Sequence, residues 1–384
     1  MPVKILSEFI CDKYMPEIGQ LNPFDPKHQE LFRISQHEFT KQFDYFIGTS
    51  TGGLIAFVLA INYSILDIRD LYADAEKYFK KNFFGPWLAS KYDPTLIHNK
   101  IDEIINGINF PGDKKISAEN ATLLDIRNLL NPDNIIDEDK AQSAMYKHGN
   151  FLEFVDDNNP PETEILPDEE YNLHRVKRER VLLITAYNTT TNSITIFNTS
   201  YSKHWGYRIA DVLKATMAAP TYFPPQIVYR GIQKNGQFIP NPNPELFIDG
   251  AVFANDPELA ALWAIRMQWK KSATYSVLCI GTGSYASIVS RSTWGGYLGW
   301  IFNDGLLLNT LLDAARSFTE IIGSNLAKVN HMKRMKLNYK ITKPMTIDDF
   351  TFPKVFDREW KQLKTENDYK ACVYFYNNHI LGTQ

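Results

Sequence analysis

Apolar residues recur at intervals of three and four from Pro2 to Tyr14, with Val3, Leu6, Ile10 and Tyr14 on one side, so an amphipathic helix is expected to open the chain. A second such face, Ile68, Leu71, Tyr72, Ala75 and Phe79, predicts a helix over 66–83 with its charges toward water. Between them the pattern changes. Phe43, Tyr45, Phe46 and Ile47 read as a short buried strand, and 54–61 (LIAFVLAI) is Ala- and Leu-rich enough to continue as a helix. Further helices are expected over 121–130, 207–219, where Pro220 stops the run, and 258–269. Strands are expected over 181–186, 193–197, 245–248 and 275–280. Strands alternating with helices imply an α/β fold, with a mainly parallel central sheet covered by helices on both faces.

The junction between the first strand and the helix at 54–61 reads Gly48-Thr49-Ser50-Thr51-Gly52, a Gly-x-Ser-x-Gly sequence. A serine at a tight strand-to-helix corner is held in a strained conformation that exposes its hydroxyl, while small flanking residues let backbone and substrate come close. The helix starting near Thr51 also turns free N–H groups and the positive end of its dipole toward Ser50. Ser50 is therefore the candidate nucleophile. The pattern alone is short enough to occur by chance, and its strand-turn-helix setting raises its weight.

The 384 residues are 44% hydrophobic with a formal net charge of -3, which suits a large globular core and excludes an extended nucleic-acid surface. Cys11, Cys279 and Cys372 are far apart and lack Cys-x-x-Cys spacing, so neither a disulfide framework nor a zinc site is expected, and a reducing, cytoplasmic setting fits. No apolar run approaches the roughly 18 residues of a spanning helix. No signal peptide, metal or cofactor is expected. From 131 to 170 the composition shifts to twelve acidic residues with Pro160-Pro161 and little periodicity, which reads as a solvated insertion.

Three further stretches make the Ser50 motif specific. Residues 214–225 read KATMAAPTYFPP, 247–257 read FIDGAVFANDP and 278–283 read LCIGTG. With FIGTSTGG at 46–53, in this order, they closely resemble the patatin-like phospholipase family. The resemblance runs from about Pro2 to about Leu312. It implies a lipid acyl hydrolase with a Ser/Asp dyad, the nucleophile at Ser50 and the proton acceptor at Asp249 of the Asp249-Gly250-Ala251 motif. It also implies a lipid ester substrate, and peripheral membrane contact is a further expectation. The catalytic domain would span 1–330, with 131–170 inserted in it and 331–384 as an extension. Independently of the family, Asp249 ends an apolar run and precedes a glycine, and ligands collect at such strand ends in open α/β sheets.

Two rivals arise from the residues. The order Ser50, Asp249 and then His331 or His379 permits a Ser-Asp-His triad, although neither histidine sits in a clear strand-end loop. Gly281-Thr282-Gly283-Ser284 after a strand suggests a phosphate cradle, weakly, since the remaining glycine and lysine of such loops are missing. The aromatic, glycine-jointed stretch Trp294 to Phe302 reads as a flap for lipid or as core. The family usually carries an Asp-Gly-Gly-Gly-x-Arg/Lys-Gly oxyanion loop just before a helix that resembles Pro2-Val3-Lys4-Ile5-Leu6, and no glycine triplet occurs elsewhere in this chain. The expectation is a truncated form of a longer product, ahead of a member with an impaired oxyanion hole. The alternative class is an inactive lipid-binding or scaffolding relative.

Overall fold

An eight-residue strand, β2 (Val181–Asn188), organises the main sheet of this computed structural model. The structure describes residues 2–19, 21–82, 90–111, 116–147, 179–234, 237–268, 275–283, 306–329, 332–340 and 351–383. On one edge of β2 lies β3 (Ser193–Asn198), antiparallel, pairing from Leu183↔Asn198 to Asn188↔Ser193. The other edge is shared. Along its first half runs β1 (Tyr45–Gly48), parallel, ending at Gly48↔Ile184. Along its second half runs β5 (Glu245–Asp249), antiparallel, ending at Ala186↔Asp249. Beyond β5, β4 (Gln226–Val228) completes the five strands.

The α/β class is as expected, and the sheet is mixed. Only β1 runs parallel to β2; the pairings with β3 and β5, and of β4 with β5, are antiparallel. The expectation of a mainly parallel sheet assumed a helical crossover between each pair of strands. Instead, the polar turn at 189–192 sends the chain straight back beside β2, which only antiparallel strands can do.

Side chains on β2 alternate between two cores. Leu182, Ile184 and Ala186 join the main apolar cluster, with α3 (Thr51–Ala60) and α4 (Ile209–Thr216). Val181 and Leu183 face the other way, against Ala264 of α6 (Glu258–Gln268). Helices thus cover both faces, as period-two burial of an interior strand requires. The helix at 51–60 is buried from Gly53 to Ala60, so its whole circumference is apolar.

Two elements differ from the periodicity. The expected helix over 66–83 is a short helix Asp70–Ala73, a 3-10 turn Ala75–Lys77 and a strand Lys80–Lys81 paired with Tyr92–Asp93. Phe79 packs on the rings of Tyr92 and Phe223, and this contact with a distant segment outweighs the helical spacing. The acidic stretch read as a solvated insertion contains a helix at Glu138–Lys147; Ala141 and Met145, one turn apart, are buried beside Leu124 and Trp205. Residues 148–170 lie outside the described residues.

The helices α1 (Pro2–Tyr14) and α2 (Pro26–Thr40) pack together, and α8 (Phe352–Leu363) and α9 (Asn367–Phe375) share their core. Phe9, Phe39 and Tyr376 meet with ring centroids 5.3 to 5.9 Å apart. Lys364 donates to Glu8 and Asp12 at 3.0 and 2.8 Å. A parallel pair, β6 (Tyr275–Ile280) with β7 (Met332–Leu337), lies apart from the main sheet, and β7 packs on α7 (Leu306–Val329) and α9. Cys11 and Cys372 are buried free thiols. Among the described residues no helix is long and apolar enough to cross a membrane.

Candidate active site

The shared edge of β2 decides where the candidate residues meet. Strand β1 climbs that edge and stops opposite Ile184; β5 descends it and stops opposite Ala186. Their ends face each other across Thr185. The residue after each strand is thereby delivered to one spot: Thr49 Oγ1 lies 2.7 Å from Thr185 Oγ1, and a Cβ added to Gly250 would fall 2.3 Å from the same Thr185 oxygen. Thr49 also donates its hydroxyl to the Ala254 carbonyl at 2.7 Å, so Thr185 is the donor between the two threonines. This buried chain joins the Ser50 corner to the short helix α5 (Ala251–Ala254) that follows Asp249.

Ser50 itself sits at φ 57 and ψ -133, a left-handed backbone that a side-chain-bearing residue rarely adopts. It occupies the N-cap of α3, yet its side chain makes no capping bond. A serine N-cap normally spends its oxygen on the helix. Here the hydroxyl is free of the helix and lies near enough to Asp249 to favour its ionised form. The two glycines of the motif serve different ends. A Cβ on Gly48 would lie 2.0 Å from the Gly52 carbonyl oxygen, so the corner needs glycine there, whereas none of the described residues lies within 4 Å of a Cβ on Gly52, which leaves the space over it open. Thr51 is exposed, and its N–H has no partner among the described residues.

Asp249 is 2% exposed. Its Oδ1 accepts the Ala251 N–H at 2.8 Å, the bond that turns the chain from β5 into α5. Burial raises the carboxyl pKa, and the nearby Ser50 hydroxyl and the Ala251 N–H lower it; burial wins, and the group is pushed up to about 7. Among the described residues no imidazole acts on it. His379 lies beside Lys333 Nζ, 3.2 Å from its Nδ1, and packs on the rings of Tyr374 and Phe375. His331 lies outside the described residues, as do Ser284 and the Trp294–Phe302 stretch. The backbone of the weak phosphate-loop candidate is spent internally: Gly281 N–H bonds Leu337 O at 2.9 Å and Gly283 N–H bonds Asn338 Oδ1 at 2.8 Å. Among the described residues no three His, Cys, Asp or Glu side chains gather as a metal site would need.

A family model for patatin-like phospholipases matches residues 28–262, a span that holds Ser50, Asp249 and every strand of the main sheet. The chain belongs to the patatin-like phospholipase family. A curated member, Patatin-like protein 1 of Arabidopsis thaliana, is similar at 29% identity over 128 residues, which is 28% of this chain and 30% of that protein. Among solved structures, VipD from Legionella pneumophila aligns with a TM-score of 0.36 and 14% identity, over 98% of this chain and 65% of that one. The matched region is thus less than two thirds of either relative.

Within this patatin-like chain, sequence reasoning named Ser50 and Asp249 as candidates and left Thr185 and Thr216 unremarked. Thr216 lies inside the KATMAAPTYFPP stretch, and its hydroxyl oxygen accepts the Ser50 N–H at 2.8 Å. That stretch was a signal available in the sequence. Thr185, in the middle of an apolar strand, offered only the anomaly of a fully buried hydroxyl residue.

Proposed function

We propose that this protein hydrolyses acyl esters of lipids through a Ser50/Asp249 dyad and a covalent acyl-serine. The observation that carries the reading is the meeting of a left-handed, uncapped Ser50 with a buried carboxylate, Asp249, at facing strand ends, the carboxyl pKa being raised to about 7. A serine hydroxyl becomes a competent nucleophile when a bonded base accepts its proton, and a base poised near neutral pH does so with least penalty at either stage.

The reaction follows from these contacts. Ser50 Oγ attacks the ester carbonyl carbon as its proton passes to Asp249. The carbonyl electron pair moves onto oxygen, where the free Thr51 N–H and the positive end of α3 oppose the new charge. Collapse restores the carbonyl and breaks the bond to the alcohol, which leaves with the proton from Asp249. Water then repeats the sequence on the acyl-serine, giving a fatty acid and free Ser50. The open space over Gly52 lets the ester approach.

A fluorophosphonate probe tests the reading directly. We expect it to label Ser50 in the wild-type chain and in His379→Ala and His331→Ala, each within a few-fold of one rate, and to leave Ser50→Ala unlabelled. A histidine variant slowed by orders of magnitude would place the protein in the triad class. A folded wild-type chain that the probe never marks at Ser50 would overturn the hydrolase reading.

A further inference from the structure

The turn that ends α4 holds the backbone of both dyad members. Thr216, the last residue of that helix, is fully buried, and its Oγ1 takes the Ser50 N–H at 2.8 Å. Two residues on, the Ala218 carbonyl takes the Asp249 N–H at 3.0 Å. The Thr216 side chain is itself confined, because a Cβ on Gly53 would stand 3.0 Å from its Cγ2 and 3.5 Å from its Oγ1. The close approach of α3 and α4 therefore places a rigid acceptor against the Ser50 amide.

That amide is the pivot of the strained corner. With φ at 57, Ser50 returns to a relaxed backbone unless its surroundings over-determine it. A hydrogen bond on its N–H sets the plane of the Thr49–Ser50 peptide and, through it, the direction of the Ser50 Cα–Cβ bond. We infer that Thr216 is a positioning residue for the acyl-transfer reaction: its hydroxyl oxygen keeps Ser50 Oγ aimed at Asp249, while Ala218 in the same turn keeps Asp249 in place. The inference rests on the dyad reading above. It also explains why the Ser50 N–H, already engaged, leaves the oxyanion to the Thr51 N–H.

Thr216→Val preserves shape and removes the acceptor, leaving a buried N–H unpaired; Thr216→Ser keeps the oxygen and loses the methyl. We expect Thr216→Val to slow fluorophosphonate labelling of Ser50, and kcat on p-nitrophenyl butyrate, by about ten- to a hundredfold, as the loss of one buried hydrogen bond implies. KM should stay within twofold, and amide exchange over 46–53 should accelerate. Thr216→Ser should stay within threefold of wild type in every readout. If Val and Ser are equally slowed, the methyl packing matters and the positioning role is wrong; a Val variant that labels at the wild-type rate is equally fatal. Should Val fail to fold, Thr216→Cys, a weaker acceptor of similar volume, must label more slowly than Thr216→Ser, and equal rates overturn the inference. A wild-type chain that does not label at Ser50 sinks the dyad reading instead, a distinct result.

Discussion

Asp249→Asn should make this protein more stable at alkaline pH while abolishing Ser50 labelling. In the folded chain burial holds the carboxyl at about 7, against 3.8 in an unfolded chain. A raised folded pKa means that the folded state binds the proton more tightly than the unfolded state does. The associated stability is present in full below the unfolded pKa and is lost as pH rises through the folded one. Three units at 1.36 kcal/mol each amount to ~4 kcal/mol by pH 8.5, of which ~3 kcal/mol falls between pH 5 and pH 8.5. Asparagine carries no charge, and its carbonyl still accepts the Ala251 N–H, so the variant escapes this loss. Urea unfolding of both proteins at pH 5 and at pH 8.5 measures it: the gap between variant and wild type should widen by ~3 kcal/mol in the variant's favour. The wild-type labelling rate should rise with pH through about 7, since only the ionised carboxylate accepts the serine proton. A stability gap that stays constant between the two pH values would refute the buried-base argument at its root.

Two further outcomes test the frame around the site. Gly48→Ala puts a Cβ 2.0 Å from the Gly52 carbonyl, so the corner must open; urea denaturation should show a loss of about 3 kcal/mol, and probe labelling should fall at least tenfold. Trp360→Ala empties a buried position in the core that α8 shares with α1, and should cost about 3–5 kcal/mol while leaving one cooperative unfolding transition by both fluorescence and circular dichroism.

The geometry of the Ser50 corner was legible from the sequence because it is local. The aromatic run to Ile47, the glycines at 48 and 52 and the apolar 54–61 helix are neighbours in the chain, so strand, corner and helix follow from short-range sterics and burial alone. The same holds for the helix at 123–130, which starts where Thr122 and Asp125 form a capping box. Asp249 could be named as a strand-end acid, and its family motif gave it a partner, but no pattern of apolar residues states which strands pair or in which direction. That was decided by β2, whose one edge accepts β1 parallel and β5 antiparallel, so that two strands distant in sequence stop on either side of Thr185. The helical spacing over 66–83 failed for the same reason in reverse: Phe79 gains more against Tyr92 and Phe223 than a helix face offers it. Thr216 and Thr185 look like any other threonines in the sequence. Only the tertiary structure, by excluding water around them, turns their hydroxyls into the fixed partners of Ser50 and Thr49, because a buried polar group must bond whatever the fold brings within reach.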